Sequence, residues 1–230
     1  MFCTDDKHPS DLLEKGHIDY IAREAINKYG VDPIIAVKAA CHHASRYFLL
    51  NNRGAIAPGY LADFAVIDNF KDFNVEMVFK KGVLYWNNGE LRDFEAPKIE
   101  EYLDKRAHDT FHVSTLTPDD FRDTRQRGVL GMVPGEIITT DNGYADHVDL
   151  EKDILKIAVV ERHKGTHHIG LGYIQGYGLK SGAVATSISH DSHNIIVVGT
   201  NSADMAFAAN YIVEHHGGIV VVENGVVKGS

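Results

Sequence analysis

SISHDSHNIIVVGTN, residues 187–201, places His190, Asp191, His193 and Asn194 directly before an apolar run, Ile195 to Val198, that stops at Gly199. A short apolar run bounded by glycine reads as a buried strand. Such a strand holds still what precedes it. If the polar part is also extended, side chains alternate in direction, so His190 and Ser192 share one face while Asp191 and His193 share the other. An aspartate beside a histidine can fix an imidazole tautomer, as a proton shuttle or a group supporting a metal ligand requires. The alternative is a polar loop that only caps a strand, since such loops are rich in Ser, Asp, Asn and His.

Downstream of this stretch, Ala203, Ala206, Phe207, Asn210, Tyr211 and Val213 recur at helical spacing. They predict a helix over Ser202–His215, capped by Asn201 or Ser202 and stopped at Gly217–Gly218. Ile219–Val222 and Val226–Val227 then form a hairpin over Asn224–Gly225. Upstream, strands are expected at Val129–Val133, Glu136–Thr140, Ile154–Glu161, Gly170–Ile174 and Ala183–Ser187. Strands with one or two helices make an α+β unit. A charged connector, Lys98–Arg106, is helical by its Ile99, Tyr102 and Leu103, and marks a boundary.

The first hundred residues read differently. Three helices are expected: Ser10–Lys15, His17–Tyr29, and a third from the Asp32 cap and Pro33 to about Phe48. Strands follow at Gly54–Ile56, Ala62–Ile67, Val75–Lys80 and Val83–Trp86, with turns at Pro58–Gly59, Lys81–Gly82 and Asn88–Gly89. Phe2, Cys3 and Thr4 look like the end of a buried strand with no beginning, which suggests a piece of a longer protein.

The 230 residues carry a net charge of −9 with both signs interspersed, and no Lys/Arg-dense patch points to nucleic acid. No apolar run approaches the roughly 20 residues of a membrane span, and the start has neither a basic nor an apolar leader region. The only cysteines, Cys3 and Cys41, sit among apolar neighbours. A cytoplasmic protein without membrane or nucleic-acid partners is expected.

Asp5, just past a strand end, occupies the kind of position where αβ-barrel enzymes gather catalytic groups, and a carboxylate there can bind a metal and move a proton. A helix cap is the equal alternative. His42 and His43 are adjacent on a helix and point apart, so joint chelation is not expected. His167 and His168 precede GLGYIQGYGLKSG, which fits neither the dinucleotide fingerprint nor a phosphate-binding loop. His215–His216 suits a helix C-terminus. With no HxH, HExxH or CxxC motif, the sequence does not hold a complete first shell for zinc or iron.

MFCTDDKHPSDLLEKGHID, GAIAPGYLADFAVID and GYGLKSGAVATSISHDSHNIIVVGTN together resemble the C-terminal portion of bacterial adenine deaminases of the amidohydrolase superfamily. The second segment is generic among metal-dependent amidohydrolases; its combination with SHDSHN is more specific. The resemblance covers essentially the whole chain. It implies an α+β chain in three parts: the last strand and helices of an incomplete (β/α)8 barrel (1–50), a small β-sandwich-like domain (51–97) and the family's C-terminal α+β domain (98–230). It also implies hydrolysis of adenine to hypoxanthine and ammonia at a manganese or iron centre. Asp5 matches the family's metal-binding, proton-carrying aspartate, with Asp6 as its neighbour. His190, Asp191, His193 and Asn194 become candidates for assisting substrate or metal. The other metal ligands would lie in an upstream barrel portion, so this chain alone is not expected to be active, and a severed interface would favour homo-oligomers. Another amidohydrolase, dihydroorotase-like or deacetylase-like, or a non-catalytic ligand- or metal-binding module, are the alternatives.

Overall fold

The computed structural model describes residues 1–5, 7–136 and 138–230. They fall into two units, Met1–Pro97 and Lys98–Ser230. The chain mixes helices and strands, with two sheets among the described residues.

In the first unit, α1 (Pro9–Lys15) precedes α2 (Ile18–Asn27), which buries Ala22 and Ala25, and α3 (Pro33–Ala40), which buries Ala36. Small side chains at these positions let α2 and α3 pack closely. Asp32 caps α3 as its sequence implies: Oδ1 accepts from the amides of Ile34 at 2.9 Å and Ile35 at 3.1 Å, ahead of a helix that opens on Pro33. The expected long third helix does not run through. Cys41, at φ −121° and ψ −70°, breaks it into α3 and α4 (His42–Tyr47). The break costs little hydrogen bonding, because the Cys41 amide still reaches Val37 O at 3.0 Å and the Ser45 amide reaches Cys41 O at 3.1 Å. Both cysteines are exposed, contrary to the apolar setting their neighbours suggest.

Phe2–Thr4 forms no strand in the described structure; the Phe2 amide donates to Ala39 O at 3.1 Å. Gly54–Ile56, also expected as a strand, is turn and irregular backbone. The sheet of this unit is an antiparallel meander, β1 (Phe64–Ile67), β2 (Val75–Lys80), β3 (Val83–Asn87) and β4 (Glu90–Leu91), in that order. It is a single sheet, not a sandwich. Lys81–Gly82 and Asn88–Gly89 take positive φ at both residues, the geometry that lets a short turn follow the twist of its strands. Phe64 faces Phe79 across β1 and β2, and their rings stack at 4.6 Å.

In the second unit α5 (Glu101–His108) and a 3-10 turn, Pro118–Phe121, come before the sheet. Its strands are β5 (Arg127–Met132), β6 (Thr139–Ala145), β7 (Ile154–Val160), β8 (Ile169–Gln175), β9 (Ala183–Thr186), β10 (Ile195–Gly199), β11 (Ile219–Glu223) and β12 (Val226–Gly229). The order is β12-β11-β9-β10-β7-β8-β5-β6, antiparallel except where β5 runs parallel to β8. The strand expected over Glu136–Thr140 starts at Thr139 instead; Ile137 lies outside the described residues.

Helix α6 (Ser202–Glu214) covers one face of this sheet. Met205, Ala206, Ala208, Ala209 and Ile212 meet Ala158, Val160, Ala183, Ala185, Ile195, Val197, Val220 and Val222 in a continuous core. The alternation of period two along β7, β10 and β11 produces that inner face. The apolar run Ile195–Val198 is buried on both sides, since Val198 joins Leu155 and Ile174 in a second cluster on the opposite face. α6 is anchored at its start by Asn201, whose side chain accepts from the Asp204 amide at 2.8 Å. Asn210 ties the incoming chain to α6, accepting from Leu116 N at 3.0 Å and donating to Leu116 O at 2.8 Å.

Candidate functional site

Strand register decides which loops meet. Ile195 pairs with Val160 and Val160 with Ile169, so the β9–β10 loop and the β7–β8 loop leave the sheet at the same end, side by side. The first carries His190, Asp191, His193 and Asn194; the second carries Glu161, Arg162, His163, His167 and His168.

The polar part of the β9–β10 loop is not extended. A turn runs over residues 190–192, and the His193 amide donates back to Ser189 O at 2.5 Å. His193 itself takes φ 52°. The alternation expected for an extended segment is therefore lost: Asp191 pairs with its neighbour His190, not with His193, while the His190 and His193 rings meet edge to face with centroids 6.0 Å apart. Asn194 has a structural task, accepting from the Arg162 amide at 3.3 Å.

Arg162 has no motif around it, so the sequence carries no local signal of its role. Its Nε donates to His193 O at 2.5 Å, and Nη1 donates to Thr110 O at 3.1 Å and Thr110 Oγ1 at 3.0 Å. The guanidinium lies over the Phe111 ring at 4.2 Å. Burial pulls its pKa below the ordinary value. His163 adds a contact to the same loop, Nε2 to Ser192 O at 2.7 Å.

Glu161 closes the β7–β8 loop on itself. Partial burial pushes its carboxyl up, but the Thr166 hydroxyl and the amides of Lys164, His163 and Thr166 donate to it and bring its pKa down to about 2. A depressed carboxylate contributes stability that is complete above its unfolded value, about 4.3, and is lost as pH falls through its folded value. Amide exchange in residues 163–166 should thus be faster in Glu161→Gln than in the unsubstituted protein at pH 6. The gap should close between pH 4.3 and about 2; a gap that is unchanged at low pH contradicts the assignment.

His167 also lies in this loop, with Nδ1 3.0 Å from Ser114 Oγ and Nε2 3.0 Å from Asp120 Oδ1. Asp120 is in turn the capping partner of Thr117. The remaining histidine pairs have local roles. His215 Nδ1 contacts Tyr211 O at 2.9 Å and its ring stacks on Tyr211 at 3.8 Å, while the His42 and His43 rings tilt apart at 6.0 Å.

Asp5 is exposed and takes φ 53°, a left-handed conformation that Asp tolerates better than most residues. Thr4 Oγ1 donates to its carbonyl at 3.4 Å. Asp6, its neighbour, lies outside the described residues. Among the described residues there is no group of three or more His, Cys, Asp or Glu side chains arranged to hold a metal ion. One carboxylate does not make a metal site, so the donors present here do not fit a metal by themselves. No helix among the described residues is long and apolar enough to cross a membrane.

Comparison with known proteins places both ends of the chain. Residues 135–230 match the family model of the adenine deaminase C-terminal domain, and residues 1–85 match the amidohydrolase family. The adenine deaminase of Kosmotoga olearia is 41% identical over 244 residues, covering 98% of this chain and 40% of that protein. That of Petrotoga mobilis is 42% identical over 241 residues, covering 97% and 40%, and adenine deaminase 1 of Rhizobium etli is 39% identical over 239 residues, covering 99% and 40%. The chain thus spans about 40% of the length of these relatives. The amidohydrolase match implies a divalent metal in the family.

Proposed function

We infer that this chain, related along nearly its whole length to adenine deaminases, is the C-terminal part of such an enzyme and serves the hydrolytic deamination of adenine. The observation that carries this reading is the joint match: an amidohydrolase segment at residues 1–85 and the adenine deaminase C-terminal domain at 135–230 in one chain. The second match points to adenine, and the first points to hydrolysis. In domain terms, residues 1–50 would supply the end of the metallo-hydrolase barrel, 51–97 the small β domain beside it and 98–230 the deaminase-specific domain.

The chemistry asks for little from this chain but asks it at one point. Water adds at C6 of adenine, the bond from C6 to the amino nitrogen breaks, and ammonia leaves once that nitrogen has gained a proton. A carboxylate beside the reacting centre can take the proton from the water and deliver it to the nitrogen. Asp5 is the residue proposed for this transfer, and for a place among the ligands of a divalent metal, manganese or iron, whose other ligands lie outside this chain. His190, Asp191, His193 and Asn194 are proposed to assist substrate or metal binding, and Asp6 stands as the neighbour of Asp5. The complete protein is expected to act in the cytoplasm, self-associated, on adenine and without nucleic acid or membrane.

Substrate profiling tests the reading against other amidohydrolase activities. The complete protein, loaded with manganese or iron, should release ammonia from adenine with hypoxanthine as the product. Turnover of dihydroorotate, hydantoins or acetylated amino sugars in place of adenine would overturn it, because those reactions open a ring or release a carboxylate.

A further inference from the structure

We propose that Arg162 is the positioning residue of the 189–194 loop: its fixed fork sets the backbone from which His190 and His193 project. The proposal deepens the reading of that loop as an assisting element in deamination and rests on it for its functional consequence. The geometry stands independently. Three bonds leave one guanidinium in two directions, Nε to His193 O at 2.5 Å and Nη1 to both oxygens of Thr110 at 3.1 and 3.0 Å. The main chain of the same residue adds two more, donating from N to Asn194 Oδ1 at 3.3 Å and accepting at O from the His112 amide at 2.7 Å.

Arg162 therefore joins three segments, 110–112, the end of β7 and 193–194. A lysine would keep the charge but could not serve both directions at once, because its ammonium is a single point on a flexible stem while guanidinium is a rigid plane with donors on two edges. The half-buried setting strengthens these bonds to carbonyls relative to water. The loop has reason to need such a clamp. His193 sits at φ 52°, outside the regions that non-glycine residues favour, and such a conformation persists only where surrounding contacts over-determine it. His163, held to Ser192 O, supports the loop from the same side.

The test is made on the chain itself, without substrate. In Arg162→Lys and Arg162→Met, the amides of residues 189–194 should exchange about tenfold faster or more, while those of α6, β9 and β10 keep their protection. The ring proton shifts of His190 and His193, distinct while the two rings meet at 6.0 Å, should move toward free-histidine values. Thr110→Val, which removes one acceptor of the fork and leaves Arg162 in place, should loosen the same amides to a smaller extent, and it decides the matter if either Arg162 variant fails to fold. Unchanged exchange and unchanged imidazole shifts in Arg162→Lys, or in Thr110→Val where the former does not fold, overturn the proposal. If the clamp passes but His190→Ala with His193→Ala leaves adenine turnover of the complete protein unaltered, it is the loop's part in deamination that falls.

Discussion

Asp5→Asn in the complete protein is expected to lower the turnover of adenine by about a thousandfold or more while leaving stability within about 0.5 kcal/mol of the unsubstituted protein. The separation of the two effects follows from where Asp5 stands. Its side chain is exposed and makes no hydrogen bond or ion pair with the other described residues, so the fold has little to lose. Asparagine is the right replacement, because the residue takes φ 53° and Asn tolerates the left-handed region as Asp does, whereas Ala would add backbone strain. What Asn lacks is the charge and the ability to carry a proton. Steady-state rates with a thermal melt alongside make the measurement. Near-normal turnover would remove Asp5 from the chemistry, and a large loss of stability would mean that Asp5 has a structural task unseen in this chain.

The largest effect on stability is expected at Asp204. This carboxylate is 3% exposed, yet it is fully satisfied: Oδ2 accepts from Asn201 Nδ2 at 2.8 Å and from the Asn224 amide at 3.2 Å, and Oδ1 from the Gly225 amide at 2.8 Å. Burial alone would raise its pKa, but the Asn201 amide group and the Gly225 and Asn224 amides outweigh it and hold the pKa below the usual carboxylate range. The residue thereby ties the start of α6 to the β11–β12 turn. Alanine would take the shared acceptor from three donors and cut the link between α6 and the turn; because Asn201, Asn224 and Gly225 are themselves exposed and can turn to water, the cost is about 2 kcal/mol. Denaturant titration of the chain at pH 7 measures it, and a loss under about 1 kcal/mol would contradict this account of the turn. Because the folded pKa is depressed, the contribution is present above about 3.9 and fades as pH falls below it, so the variant and the parent should converge in acid.

The sequence made some of this legible, and particular residues show why. β2 appeared with the bounds expected, Val75–Lys80, because a strand between two turns announces its ends. α6 ended at Glu214, one residue before the expected His215, since thirteen residues of steady apolar spacing between an Asn cap and paired glycines leave little choice. Ile195–Val198 was legible as buried because nothing in it is polar. The loop before it was not. Whether Ser187–Asn194 continues extended depends on what lies beside it: the turn closes locally, His193 N to Ser189 O, but the contacts that hold it come from Arg162 and His163, about thirty residues upstream in the chain. Pairwise contacts at that separation leave no local periodicity. The same holds for Asn210, which reads as one more position on a helix and proves to pair with the backbone of Leu116. The break at Cys41 has no proline or glycine beside it to mark it, β4 is only two residues long after the Asn88–Gly89 turn and so shows no alternation, and Phe2–Thr4 resembles a strand only by its composition.

Ammonia release from adenine, measured on this chain alone and on the chain co-expressed with the remaining portion of a complete adenine deaminase, tests the central claim most directly. Both samples would receive manganese or iron. The account predicts ammonia and hypoxanthine only in the co-expressed sample, since among the described residues no three His, Cys, Asp or Glu side chains are arranged to hold a metal ion. Ammonia from the chain alone would contradict it and place the reacting centre among Asp5 and the histidines present here.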